Sequence, residues 1–308
     1  MRWYVGVDGG GTKTDFAAAA EDGTVAATLK CSGCSYQVIG IEAAVALVVS
    51  GVRECLAKLD AVLADCAGCC LGMPCYGEDP VQDRALLDAL EKAFAPVPIY
   101  LSNDVEVGWA GALECGEGIH LVAGTGSIAF GRGRDRCTAR CGGWTEFFGD
   151  EGSCYWIGRE AMSLFSKEAD GRATRGPLYD IVRREFGLVD DFRFIDAVLR
   201  DIAPHRDRVA HFQRYSLMAA QAGDQAAAAL YKGAASELAL MAATLKGKLN
   251  LSPGTTPVSY SGGLFQAGKL ILEPLSKQIE SLDCILVEPK RSAVEGALIL
   301  AMERFEEE

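Results

Sequence analysis

The chain has 308 residues, 49% of them apolar, enough to fill two hydrophobic cores, so two domains are expected. A formal charge of −12 and a pI near 4.9 argue against nucleic acid or an anionic membrane as partner, because a polyanion is repelled at long range. No uninterrupted apolar run approaches the roughly 18 residues of a membrane span, and the opening "MRWYVGVD" reads as a strand and not as a signal peptide, so a cytoplasmic location is expected.

The opening segment alternates strand and turn. "RWYVGVD" is apolar and β-rich, "TDFAAAA" resumes after three glycines, and "EDGT" (Glu21 to Thr24) turns the chain into "VAATL". The stretch "DGGGTKT" therefore joins two strands. Dinucleotide fingerprints and Walker A loops both need a helix directly after their glycines, and here Thr12 also separates Gly11 from Lys13. What remains is a hairpin that can aim backbone N–H groups, with two hydroxyls and Lys13 beside them, at an anion; phosphate binding is favoured over a plain turn, which needs fewer glycines. Asp8 just before the glycines would repel phosphate on its own, and a Mg²⁺ ion between them removes that conflict.

Residues 41–59 carry a helical period, "AVLADCAGCCLG" reads as a buried strand, a helix follows near residues 80–95, and "VPIYLSND" is a strand ending in polar residues. "IHLVAGTGSIAFGRG" then repeats the strand, glycine turn, strand pattern about 115 residues after the first, which points to a duplicated α/β domain. Its turn supplies Gly124, Thr125 and Gly126. Residues 157–250 are helical in pattern, "TPVSYSGG" is a strand running into Gly262 and Gly263, and "SAVEGALILAMERFEEE" is an amphipathic helix with a solvated acidic tail.

Twelve cysteines include the pairs Cys31/Cys34 and Cys66/Cys69, whose spacing is metal-like, but a long chain with its own core favours reduced, buried thiols over a cluster. His120, His205 and His211 form no repeating ligand pattern and are expected to be surface or internally satisfied residues.

In order along the chain, "DGGGTKT", "NDVEVGWAGA", "AGTGSIAFG", "GGWTEFFGDEGSCYWIG" and "SGG" resemble the N-acetylglucosamine kinases of the BadF/BadG/BcrA/BcrD group, within the actin-like, ribonuclease H-like ATPase superfamily. The resemblance spans nearly the whole chain. It implies two duplicated ribonuclease H-like domains with a cleft between them, the first over residues 1–112 with a returning helix at 291–308, the second over 113–290 with a helical insertion. It also implies ATP and Mg²⁺ as cofactors, an amino sugar as the small-molecule partner, and dimerisation.

Residue by residue, the resemblance places the ATP phosphates between Gly10, Gly11, Thr12 and Lys13 on one side and Gly124, Thr125 and Gly126 on the other. It sets Asp8 toward Mg²⁺ and Gly262 with Gly263 against the adenosine. Asp104 matches the catalytic base, a carboxylate that accepts the sugar hydroxyl proton as phosphoryl transfer proceeds, with Glu106 as the competing acid. Ser35, Tyr36, Asp104, Thr125, Gly143, Trp144 and Asp150 match sugar contacts, an aromatic face and a carboxylate being suited to a sugar ring and its hydroxyls. The sequence departs from the family at Tyr36, where the kinases carry Asn, at Thr145 in "GGWT", and at Cys154, where Gly is frequent, so glucosamine or another hexose derivative is an alternative acceptor. Two alternative functions are an ATPase activator of a 2-hydroxyacyl-CoA dehydratase or benzoyl-CoA reductase, with an Fe–S cluster, and a sugar-sensing regulator. The first lacks the "GGWxxxxGDEGS" segment and the second needs a DNA-reading module. A hinge is expected near residues 108–118, where glycines collect, and before the last helix.

Overall fold

In the computed structural model, residues 2–305 are described. Their contacts fall into two units, one running through His120 and completed by the chain from Glu288, the other Leu121–Val287.

The first unit is built on a five-stranded sheet. Strands β1 (Trp3–Gly9), β2 (Lys13–Ala20) and β3 (Val25–Ser32) form an antiparallel meander, and β4 (Cys66–Met73) and β5 (Ile99–Asn103) add parallel strands on the other side of β1, giving the order β3-β2-β1-β4-β5. All eight residues of β4 are buried, the signature of a central strand covered on both faces. A short helix α1 (Tyr36–Ile39) leads into α2 (Ile41–Ala57), and α3 (Pro80–Phe94) precedes β5. Asp79 caps α3 by accepting from the amides of Val81 and Gln82, with Pro80 at its first position. Val48, Val52, Leu56, Leu86, Leu90 and Phe94 from α2 and α3 fill the core under one sheet face, together with Val5, Val7, Phe16 and Leu71.

Helix α4 (Asp104–Leu113) and the C-terminal helix (Ala293–Phe305) cover the other face. They cross at glycine: a side chain on Gly296 would lie 2.1 Å from the Val107 carbonyl oxygen, and one on Gly111 equally close to that of Ser292. Gly108 and Gly111 therefore sit inside a helix. The hinge expected near residues 108–118 is corrected for its first half, since these glycines permit close packing and do not loosen the chain.

The second unit repeats the plan. Strands β6 (Gly118–Ala123), β7 (Ser127–Arg132), β8 (Thr138–Gly142), β9 (Thr256–Ser261) and β10 (Cys284–Val287) take the order β10-β9-β6-β7-β8. Read from the other edge this is the order of the first sheet, with β7 and β8 antiparallel and β9 and β10 parallel. The duplication thus extends to all five strands, although only three of the second set show in the sequence pattern. Between β8 and β9 lies the helical insertion: α5 (Cys154–Ala169), α6 (Pro177–Glu185), α7 (Arg193–Ala197), a π-helical turn at Val198–Ile202, α8 (Arg206–Gln221) and α9 (Gln225–Lys248). Phe165, Tyr179, Phe186, Phe194, Phe212 and Tyr215 pack through its core, mostly edge to face, with ring centroids as close as 4.6 Å. Helix α10 (Lys269–Glu280) joins β9 to β10. Among the described residues no helix is long and apolar enough to cross a membrane.

Candidate active site

The first cluster forms at one end of the first sheet. In the β1–β2 hairpin the Gly10 amide donates to the Lys13 carbonyl at 2.9 Å, while no protein acceptor meets the Gly11 or Thr12 amide among the described residues. Gly9, Gly10 and Gly11 all lie outside the left-handed region, so the turn does not demand glycine for its backbone angles. A side chain on Gly9 would collide with the Cys34 sulfur at 2.5 Å and the Gly72 carbonyl oxygen at 2.7 Å, but one on Gly11 would meet nothing. The protein's own packing explains Gly9 and leaves Gly11 open to a ligand.

Asp8 stands directly opposite Asp15 across the β1–β2 ladder. Burial, with Asp15 adding to it and Lys13 opposing, pushes the Asp8 carboxyl up to about 6. Asp15 itself is held by Lys13 at 2.6 Å and Lys30 at 3.4 Å. The Lys13 ammonium is therefore committed to Asp15, and a phosphate contact from it requires that exposed pair to open.

Asp104 is the first residue of α4, preceded by Asn103, which caps the helix by accepting from the Val105 amide at 3.0 Å and anchors the corner by donating to the Tyr76 carbonyl at 2.7 Å. Burial, then the neighbouring Asp8 charge, raise Asp104 to about 7 against the opposing Val105 amide. Two carboxyls raised mainly by burial, one of them also by the charge of the other, are a site for a proton or a cation. Glu106, the competing acid, accepts from the Tyr100 hydroxyl at 2.8 Å and is occupied there.

Ser35 and Tyr36 do not join this cluster through their side chains. Tyr36 is 1% exposed, its hydroxyl donating to Asp83 at 2.6 Å and lying 3.0 Å from the Cys75 carbonyl oxygen. Asp83 also accepts from the Gly77 amide at 3.0 Å. The expectation that Tyr36 reads the sugar is thus corrected: the phenol is long enough to reach the Asp83 carboxylate inside the unit, and burial with that carboxylate keeps the hydroxyl protonated. Ser35, also buried, precedes α1 as its N-cap residue without a side-chain cap bond.

The second cluster surrounds the β6–β7 turn. The Gly124 amide donates to the Gly126 carbonyl at 2.9 Å, Gly124 accepts from the Cys154 amide at 2.9 Å, and Thr125 from the Tyr155 amide at 3.3 Å. Ser153 caps α5 through the Trp156 amide, and the Ser127 hydroxyl donates to the Glu151 carbonyl at 2.6 Å. The "GDEGS" segment is thereby a brace for the glycine turn. Gly262, at φ +111°, approaches the same turn so closely that a side chain there would lie 2.3 Å from the Ala123 carbonyl oxygen. The structure thus brings Gly124, Thr125, Gly126 and Gly262 together, with Gly263 next in the chain.

Thr125 is exposed, Gly143 (φ +68°) donates its amide to the Ser127 carbonyl at 2.9 Å, and Trp144 is 76% exposed. Asp150 is buried, accepting from the Ser127 amide at 3.1 Å and from Arg206. Arg206 has no motif around it and lies 56 residues downstream in the insertion, so nothing in the sequence marked it. Burial also lifts the Cys154 thiol to about 11, so it stays neutral. His120 is buried and pushed down to about 4 by desolvation, which leaves it uncharged, whereas His205 and His211 are exposed.

Residues 5–301 match the family model of the BadF/BadG/BcrA/BcrD ATPase family. The chain belongs to that family. It is 26% identical over 308 residues to an N-acetylmuramic acid/N-acetylglucosamine kinase of Clostridium acetobutylicum, covering 98% of each chain. It is 27% identical over 293 residues to an N-acetyl-D-glucosamine kinase of Dictyostelium discoideum, covering 90% of this chain and 89% of that one. The crystal structure of a candidate N-acetylglucosamine kinase from Chromobacterium violaceum superposes with a TM-score of 0.77 at 27% identity over 97% of this chain and 99% of its own. The fold of this family member is the duplicated α/β architecture implied by its motifs.

Proposed function

We propose that the chain is an ATP-dependent kinase that transfers the γ-phosphoryl group to the 6-hydroxyl of N-acetylglucosamine or a related amino sugar such as glucosamine. The observation that carries the reading is the pair of half-buried acids, Asp8 and Asp104, beside a glycine hairpin that offers unpaired amides. The similarity to amino-sugar kinases over nearly the full length supports the acceptor class.

In this reading Gly10, Gly11 and Thr12, with Lys13 once released from Asp15, hold phosphate from one hairpin, and Gly124, Thr125 and Gly126 hold it from the other. Gly262 and Gly263 give the adenosine a flat surface. The sugar hydroxyl oxygen attacks phosphorus as the bond to the β-phosphate oxygen breaks; its proton passes to Asp104, and ADP leaves with the electron pair. Asp104 suits that task, since a carboxyl held near neutrality accepts a proton more readily than an ordinary one. Thr125, Trp144 and Asp150 orient the ring.

Mg²⁺ fits the donor set through Asp8, a hard oxygen ligand whose proton affinity is raised by burial and by the facing Asp15, a penalty on the carboxylate that a cation would relieve. When bound, that ion supplies charge neutralisation on the phosphate oxygens. The reduced thiols and freely diffusing substrates fit a cytoplasmic enzyme.

A coupled assay across hexosamines and hexoses tests the proposal. ATP consumption should depend on an amino sugar and fall at least about a hundredfold in Asp104→Asn while nucleotide binding persists. Equal consumption with and without every sugar would overturn it. The activator alternative is less well supported: two curated relatives, 26% and 27% identical over nearly the full length, are named as sugar kinases, and Cys34, Cys69 and Cys70 are packed in the interior of the first unit. Iron and a brown colour after anaerobic purification would revive it.

A further inference from the structure

Asp150 is 3% exposed and sits at φ +58°, a backbone conformation that a non-glycine residue holds only when its surroundings fix it. One carboxylate oxygen accepts from the Ser127 amide at 3.1 Å, and the other is taken by Nη2 of Arg206. The same guanidinium sets its Nε 3.5 Å from the Glu146 carboxylate. One planar fork thus meets two carboxylates of a single loop, a geometry that the point charge of lysine does not reproduce.

Room for this pairing comes from the glycine turn. A side chain on Gly126 would lie 2.5 Å from Arg206 Nη2 and 2.6 Å from Asp150 Oδ1. The last glycine of "GTG" therefore has a use that owes nothing to phosphate. The loop has little packing of its own: Trp144, Phe147 and Phe148 are 76%, 82% and 72% exposed. Its anchors include the Gly143 amide on the Ser127 carbonyl, the Ser127 amide on Asp150, the Ser153 amide on the Asp150 carbonyl and the two carboxylates on Arg206. Arg206 is the first residue of α8, directly after the turn that follows the π-helical segment, so this side chain carries a contact from the helical insertion to the loop.

We propose that Arg206 is a positioning residue for the acceptor: it clamps the 144–150 loop and fixes the direction of the Asp150 carboxylate that a sugar hydroxyl meets. The kinetic consequence rests on the reading of Asp150 as a sugar contact; the clamp itself does not.

Two measurements separate these. Chymotrypsin cuts after Trp and Phe, so without any ligand Arg206→Ala should be cleaved within residues 144–148 at least about fivefold faster than the parent, because cleavage follows local opening. Arg206→Lys, which keeps one charge, and Glu146→Gln, which keeps the Asp150 pair, should fall between. In the kinase assay Arg206→Ala should raise KM for the sugar about tenfold and leave KM for ATP within about twofold, with Arg206→Lys partly restoring it. Unchanged cleavage in Arg206→Ala, or equal rises in both KM values, would overturn the proposal. If the parent protein phosphorylates no sugar, the kinase reading fails while the cleavage rates still decide the clamp; should Arg206→Ala not fold, the Lys and Gln variants carry both comparisons.

Discussion

The Tyr36 hydroxyl donates to the Asp83 carboxylate at 2.6 Å, deep inside the first unit. Both residues are almost fully buried, so this hydrogen bond compensates a charge removed from water. Tyr36→Phe should lower stability by about 1–3 kcal/mol, since it strands a buried acceptor, and should leave sugar KM unchanged. Tyr36→Asn, which restores the residue common among the kinases, should cost more, about 3–5 kcal/mol, through the added cavity. Denaturant titration beside steady-state kinetics checks both; an Asn variant with parental stability and tighter sugar binding would contradict the buried role.

Asp8 and Asp104 predict an inverted dependence of stability on pH. An Asp104 carboxyl ionises at an ordinary 3.8 when unfolded but near 7 when folded, so between these values the folded chain binds more protons. Its contribution is therefore fully favourable below about 4 and is lost as pH rises through about 7. Asp8 acts in the same direction with its midpoint at about 6. In a chelator, thermal melts should show Asp104→Asn gaining several degrees on the parent at pH 8 and nothing at pH 4. Millimolar Mg²⁺ should narrow the gap at pH 8, because a cation near Asp8 offsets the same repulsion. A melting-temperature difference between Asp104→Asn and the parent that does not grow from pH 4 to pH 8 in chelator would refute the raised carboxyl.

Much of this was legible in the sequence, and the exceptions have physical causes. The meander β1–β3 and the hairpin at Gly124–Gly126 could be read because β-rich runs alternate with turn residues at short spacing. Strand β10, only four residues long, and β8, which is largely polar and exposed on an edge, carry too little hydrophobic pattern to stand out. Asp104 could be singled out because it stands in the motif "NDVEVGWAGA" at a strand end; the cap that Asn103 places on its helix shows only in the fold. Tyr36 was misread because a motif position tells where the backbone passes, and a longer side chain there found a partner inside. Arg206 was invisible, since its meaning depends entirely on a fold that returns α8 to the turn.

The crossing of α4 with the C-terminal helix depends on Gly111 and Gly296. A methyl group at Gly296 would lie 2.1 Å from a backbone carbonyl oxygen, and backbone in a helix cannot yield as a flexible side chain can. Gly296→Ala should destabilise by at least about 1–3 kcal/mol, outweighing the better helix propensity of alanine of roughly 1 kcal/mol. Gly23→Ala, in an exposed turn, is a poor control because its φ is +77°; Gly247→Ala, in helix α9 with open space around it, should be stabilising instead. Equal effects at Gly247 and Gly296 in chemical denaturation would show that the helices do not approach this closely.

The opening glycines separate what the fold needs from what a ligand needs. Gly9→Ala must push against Cys34 and the Gly72 carbonyl, so its expected defect is in stability, by about 1–3 kcal/mol. Gly11→Ala meets no protein atom and needs no left-handed backbone, so its melting temperature should match the parent within about a degree or rise slightly, as the unfolded chain loses freedom. If the bare backbone at Gly11 is there for phosphate to approach, the same variant should raise KM for ATP about tenfold or more, while the sugar KM holds. Parallel measurements of melting and of both KM values on these two neighbours decide the point. Unaltered ATP kinetics in Gly11→Ala would remove the hairpin from the nucleotide site, and a loss of stability there would mean that the turn packs more tightly than the open space around it shows.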